Sequence, residues 1–327
     1  MPLYRNILRQ AWKITWQYKY LWFFGLFAAL LGNGGEYEIL FRGVNNANTP
    51  LFPGLQNFVQ SGFFSRQTLA NIGVIIRTDT ASFIIALVLG LVILLLFFFL
   101  VWLSVSSQAA LVNNSAGYFL NKKSDFKTGM AVGSQKFWPV FGYNVIIKAV
   151  LYLAFILMGI PLLYIVPRLG LVWGGIIYFI FFIVFMVLVL GVSFMLKYSI
   201  AFLVVKGNKF LESIKLGWNL FISNWLISLE MAFILFFISL VVSLLYFLVI
   251  LALGIPVVFL LIASAKVAAS MFLVVAFLAL IFYVLSLAFV GATLSTFQIS
   301  TWTGLFVQLV NKGGESKIVR IVNGMIK

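Results

Sequence analysis

The chain has 327 residues, 64% hydrophobic and only 9% charged, with a net charge of +15 and a mean hydropathy of +1.15. Soluble domains run near half apolar and a quarter charged, so a water-soluble globule is excluded and lipid is the main solvent. The lack of cysteine and histidine excludes disulfides, thiol nucleophiles, Cys/His zinc sites and imidazole general bases. No cofactor is expected.

Six apolar runs of spanning length follow in chain order, at 16–32, 81–103, 138–159, 169–196, 225–253 and 267–291. The runs are continuous rather than alternating, and lipid offers the backbone no hydrogen bonds, so each is expected to be a helix. The basic N-terminal stretch leads into further membrane segments without a small-residue cleavage site, so it is read as part of the first membrane unit. Charge then sets orientation. The N-terminus, the 104–137 and 197–224 connections and the tail together carry 16 of the 22 Lys and Arg residues. Holding these on one face predicts six spans with both termini in the cytoplasm. The opposite face receives the long connection 33–80. Its polar stretch Asn45–Pro50 and later apolar positions such as Phe58, Phe63 and Ile72 predict short helices on the outer leaflet.

The segments before spans one, three and five resemble one another. They read YRNILRQAWKITW from Tyr4, FKTGMAVGSQKFW from Phe126 and FLESIKLGWNLFISNW from Phe210. Each opens on an aromatic residue, has a small residue seven positions on (Ala11, Gly133, Gly217) and ends on Trp16, Trp138 or Trp225. In the first, Arg5, Arg9 and Lys13 lie four apart on a face of their own. Such segments are expected to be amphipathic helices lying in the headgroup plane before the chain turns into the bilayer. A second echo joins Gly159-Ile160-Pro161 to Gly254-Ile255-Pro256, each expected to be a kink or an outer-side helix break.

The fold class is therefore all-α: a polytopic membrane helix bundle of six transmembrane helices with three amphipathic surface helices on the cytoplasmic side. The chain reads as one membrane domain of three hairpins, 3–104, 124–206 and 209–300, with a cytoplasmic tail at 301–327. Anionic lipid headgroups are the expected partner, rather than nucleic acid, because the basic residues flank apolar runs instead of forming one patch. The lipid contacts fall to Arg5, Arg9, Lys13, Lys127, Lys136 and Lys215. The alternative is a secondary transporter of a small or lipidic solute. It rests on an intramembrane polar site of Asn144, Lys148 and Glu230, since a charge at mid-bilayer costs about 2.5–3.5 kcal/mol on insertion scales, and on the expected broken helix ends at Pro161 and Pro256. Snorkelling of Lys148 toward the inner side is the simpler account of that residue. Gly170-x-x-x-Gly174 is expected to pack helices, and the run from Ser104 to Asn114 is expected to be a solvated cytoplasmic helix, with the lining of an inner vestibule as its alternative. No Walker A loop, GxSxG elbow or HExxH motif occurs, and no nucleophile–base pair has a supporting spacing, so no catalytic role is expected.

The stretches AWKITWQYKYLWFFGLFAALL at 11–31 and FLVVKGNKFLESIKLGWNLFISNW at 202–225 resemble bacterial six-span membrane proteins of unknown function. These are similar to the membrane domain fused to some glycerophosphoryl diester phosphodiesterases. The resemblance implies a module of the bacterial cytoplasmic membrane working near phospholipid headgroups. It does not carry the phosphodiesterase activity, which belongs to a separate soluble barrel using histidine and acidic residues. The three-hairpin plan also resembles mitochondrial carriers in architecture, without their Pro-x-acid-x-x-basic signature.

Overall fold

A computed structural model of the chain describes residues 3–31 and 80–313. The outer connection and most of the tail lie outside the described residues. The described chain is all-α: α1 (Leu3–Gln17), α2 (Leu21–Ala29), α3 (Thr80–Phe119), α4 (Phe126–Gln135), α5 (Phe137–Ala201, followed by a π-turn at Phe202–Lys206), α6 (Phe210–Ser223), α7 (Trp225–Val267) and α8 (Ala269–Lys312). It divides into two units, one holding residues 80–103 of α3 and the other holding residues 3–31 and 104–313.

Among the described residues five helical segments are long and apolar enough to cross a membrane: Thr80–Phe119, Phe137–Ala154, Trp173–Lys206, Trp225–Val267 and Ala269–Asn311. Their apolar side chains are turned outward. Phe97 on α3, Phe179 on α5, Phe247 on α7 and Phe277 on α8 are all exposed. In water so much contiguous apolar surface would drive aggregation, and in hydrocarbon it is the ordinary exterior. This is the make-up of a multi-pass membrane protein.

The element boundaries differ from expectation in three places. The first run is not one helix from residue 16. α1 continues to Gln17, a turn at 18–20 follows, and α2 starts at Leu21, with the Trp22 indole donating to the Thr15 carbonyl at 2.8 Å. Pro161 and Pro256 are not breaks, because α5 and α7 continue past them. The turns fall at Gly170 (φ 75°, ψ 173°) and at the extended Ala268 (φ −164°, ψ 146°). Each lies two residues beyond a basic residue, Arg168 or Lys266. Proline forfeits one backbone hydrogen bond, about 3 kcal/mol in a helix interior, whereas ending a helix in hydrocarbon leaves several polar groups unmet. The chain therefore stays helical to a polar level, where glycine adopts the left-handed conformation readily. Gly170 consequently ends a helix instead of packing two together.

The second unit is organised by close approaches at small residues. On α4, a Cβ at Gly133 would run into the Ser106 carbonyl oxygen and sit 3.2 Å from the Ala110 methyl on α3. On α6, a Cβ at Gly217 would lie 2.9 Å from the Ser199 amide nitrogen and 3.1 Å from the Met195 carbonyl oxygen on α5. Residues 106 and 110 on α3 thus correspond to 195 and 199 on α5. The third small residue, Ala11, is fully buried. Its helix α1 lies on α8, where Trp12 meets Phe297 edge-on at 6.0 Å. Each short helix therefore packs on the long helix that ends the preceding hairpin, and for α1 that helix comes from the far end of the chain.

The opening aromatic residues make a second set of contacts in the same order. Phe126 stacks on Phe24 of α2 at 4.9 Å. Phe210 stacks on Tyr143 of α5 at 4.3 Å, and the Tyr143 hydroxyl donates to the Phe210 carbonyl at 2.7 Å. The Tyr4 hydroxyl donates to the Glu230 carboxylate of α7. Between α3 and α4, Asn114 donates to the Asp125 carbonyl oxygen at 3.0 Å. Asp125 also caps α4, accepting from the Thr128 amide at 2.8 Å. Hydrogen bonds from the Thr128 hydroxyl and amide hold its carboxyl below the usual carboxylate range.

Gly133→Val and Gly217→Val should each lower the melting temperature in detergent, by an overpacking cost of about 1–3 kcal/mol. Gly175→Val, where a Cβ meets nothing within 4 Å, should not. Equal losses at all three positions in scanning fluorimetry would remove the close-approach account.

Candidate functional site

The polar residues of the second unit gather where α3, α5 and α8 converge. The run expected to be solvated is instead buried. Ser104, Ser106, Ser107, Gln108, Asn114 and Ser115 are all at or below 8% exposure, because this turn of α3 is covered by α4, α5 and α8. Ser115 shares a hydrogen bond with Ser300 of α8 at 2.9 Å. The correspondence of residues 106 and 110 with 195 and 199 puts Gln108 and Lys197 at one level of the bundle. Gln298 of α8 joins them in lining one small cavity with Val112, Ile200, Ala201, Ile299, Trp302 and Thr303.

Each of the three long polar side chains is positioned by a neighbour. The Gln108 carbonyl oxygen accepts from the Asn144 amide of α5 at 2.9 Å. The Gln298 amide donates to the Ser239 hydroxyl of α7 at 2.7 Å. The Lys197 ammonium lies over the Trp302 ring, 4.5 Å from its centroid, and 5.7 Å from that of Phe194. The helix following each short helix also ties to the preceding long helix by a polar contact. Thr296 of α8 donates to the Leu21 carbonyl at 3.2 Å, Asn144 bonds Gln108, and Tyr198 of α5 shares a hydrogen bond with Ser228 of α7 at 2.7 Å.

The expected intramembrane site does not assemble. Asn144 is buried and turned to Gln108, Glu230 accepts from Tyr4, and Lys148 is exposed on α5. The transporter reading thereby loses the ion pair on which it was built. The expected lipid-contacting residues lie as follows: Arg5, Arg9, Lys13, Lys127 and Lys215 are exposed and Lys136 is half-buried. On α1 the basic residues oppose a buried face of Tyr4, Ile7, Ala11 and Ile14. Trp12 and Trp16 stand exposed beside them, and so do Trp138 and Trp225 at the starts of α5 and α7. Among the described residues no three acidic side chains converge to hold a metal ion.

The sequence suggested a vestibule only for the α3 run that includes Gln108; its grouping with Lys197 and Gln298 was missed because the leading segments of the three hairpins are alike whereas the closing ones hardly are. One signal was present: SSQAAL, MLKYSI and TFQIST each place a long polar residue two positions before a small one, at Gln108, Lys197 and Gln298.

The fold and its apolar exterior define the class, an all-α multi-pass membrane protein. Comparison with family models, curated proteins and solved structures gives no match.

Asn144→Leu would leave the buried Gln108 oxygen without its donor, a cost of about 1–3 kcal/mol, whereas Lys148→Gln should leave the unfolding midpoint unchanged. Chemical denaturation in micelles separates the two. A larger loss for the lysine variant would restore Lys148 to the bundle interior.

Proposed function

We propose that the protein is a six-span module of a bacterial cytoplasmic membrane, without catalytic machinery, that binds anionic lipid through three amphipathic helices on the cytoplasmic face. The observation that carries this reading is the two-sided character of α1. One face is buried against the bundle, and the other presents Arg5, Arg9 and Lys13 beside exposed Trp12 and Trp16. A helix with a basic rim and interfacial tryptophans lies at the headgroup level, and each basic residue near an anionic surface contributes about 1 kcal/mol. Lys127 and Lys215 extend the basic rim from α4 and α6.

The hairpin units of this reading are 3–104, 124–206 and 209–300, with α2 as the inner part of the first span. Support comes from the contacts of the short helices. The helices α4 and α6 each pack on the long helix before them and α1 packs on α8, and the small residues Ala11, Gly133 and Gly217 are all buried. Orientation follows from the positive-inside distribution of Lys and Arg.

The chain has no cysteine, so single cysteines report topology without background. Cysteines replacing Lys123 and Lys209 should react with a membrane-impermeant maleimide from one and the same side, and a cysteine replacing Lys266 from the other. Liposome flotation then tests lipid choice. Purified protein in nanodiscs should capture phosphatidylglycerol vesicles and not phosphatidylcholine vesicles at low salt, and Arg5→Gln/Arg9→Gln/Lys13→Gln should weaken capture. Equal capture of both vesicle types would refute the lipid-binding function, and opposite labelling of positions 123 and 209 would refute the topology.

A further inference from the structure

We infer that the cleft between α3, α5 and α8 is a binding site for a single phosphate-like oxyanion, with Lys197 as its cationic group and the carboxamides of Gln108 and Gln298 beside it. The cleft is separate from the basic outer faces of the short helices, and the inference stands whether or not those faces bind lipid.

The lining carries the argument. Three helices bring a long polar side chain to one level, and one of the three is a cation. Gln108 is only 8% exposed and Thr303 only 3%, so polar side chains nine-tenths buried border the space. Gln108 receives the Asn144 hydrogen bond on its oxygen, which leaves its amide group as the donor end. The Thr303 hydroxyl adds a further possible donor. Among the described residues no carboxylate lines the cavity. A lining of one ammonium, the Gln108 amide and a hydroxyl suits an oxyanion and disfavours a metal cation, while the Gln298 amide already donates to Ser239.

Size and depth narrow the ligand. The cavity holds about 40 Å³, room for about two or three waters or for a small anion that displaces them. Residues 106 and 110 of α3 touch Gly133, and 195 and 199 of α5 touch Gly217. Gln108 and Lys197 therefore sit at the level of the short helices, where headgroup phosphates lie if those helices rest in the interface. The shared chemistry is a phosphate oxyanion, and its source is either a lipid headgroup or free phosphate. Lys197 does not face this cleft as a mobile surface charge: the Trp302 ring beneath it fixes where the ammonium is held.

The test uses the full chain in detergent, freed of bound lipid, with inorganic phosphate and short-chain phosphatidic acid as separate probes and short-chain phosphatidylcholine and chloride as controls. Melting temperature and microscale thermophoresis are the readouts. At least one of the two phosphate probes should stabilise the protein saturably. Lys197→Gln, which copies the residue type at positions 108 and 298, should weaken the apparent Kd about tenfold or more, whereas Lys197→Arg should retain binding. Lys206→Gln, at an exposed lysine on the same strand of chain, should leave Kd unchanged. Saturation by inorganic phosphate assigns a free anion, and saturation by phosphatidic acid alone assigns a headgroup. Saturation by neither probe, or an equal loss from Lys197→Gln and Lys206→Gln, overturns the site. If Lys197→Gln fails to fold, binding retained by Lys197→Arg and lost in Lys197→Met carries the same decision.

Discussion

Close packing at three small residues, with direct backbone contact at Gly133 and Gly217 and a fully buried Ala11, sets the arrangement of the end of the bundle that carries the short helices. Gly133 and Gly217 bring α4 and α6 against the peptide backbones of α3 and α5 at distances that exclude even a methyl group. In a bilayer apolar burial hardly drives helix association, because lipid tails are as apolar as leucine. Van der Waals contact between backbones and a few hydrogen bonds must do that work. Small residues at positions 11, 133 and 217 supply the first, and the Asn144–Gln108, Tyr198–Ser228 and Thr296–Leu21 contacts supply the second. The outward faces need nothing of the kind, and there α3, α7 and α8 are runs of leucine, valine and phenylalanine with no preferred side.

The contacts run in one direction. The helices α4 and α6 lie on the long helix before them in the chain and α1 on the last one, α8, and each opening aromatic residue touches the helix that follows the previous short helix in that cyclic order. For α4 and α6 a short turn makes this nearly automatic, since the chain folds straight back on itself. For α1 nothing covalent enforces it. Packing on α8 and the Tyr4–Glu230 hydrogen bond join the first and last parts of the chain, so the order of contacts closes on itself. Glu230 also becomes intelligible. Five residues past Trp225 a carboxylate would be poorly placed facing lipid, and the α1 tyrosine gives it a donor.

Much of this was legible in the sequence because it rests on periods and residue sizes. Unbroken apolar runs can only be helices in lipid, and the recurrence of a small residue seven positions after an aromatic one marked where backbones meet. Helix ends were misread at Pro161 and Pro256, because proline's effect was judged as in water, where a broken helix is solvated at little cost. The polar run 104–115 was misread for a related reason. Serine and asparagine at a membrane boundary suit solvent equally well, and only tertiary contacts with α4 and α8 decide that they are buried. Gln108, Lys197 and Gln298 were not grouped, because the six-residue likeness around them is faint. The level shared by Gln108 and Lys197 follows from what Gly133 and Gly217 touch, and Gln298 joins them through the cavity lining. Lys148 and Glu230 drew attention as rare charges, yet in three dimensions they face different surroundings.

A double-mutant cycle on Tyr4 and Glu230 tests the closure of the contact order most directly, because these two residues are 226 positions apart and meet only if α1 packs beside the last hairpin. Unfolding free energies of the wild type, Tyr4→Phe, Glu230→Gln and the double variant should show a coupling on the order of 1 kcal/mol, as for a partly exposed hydrogen bond to a charged group. Additive effects, with the two single losses simply summing, would contradict the account.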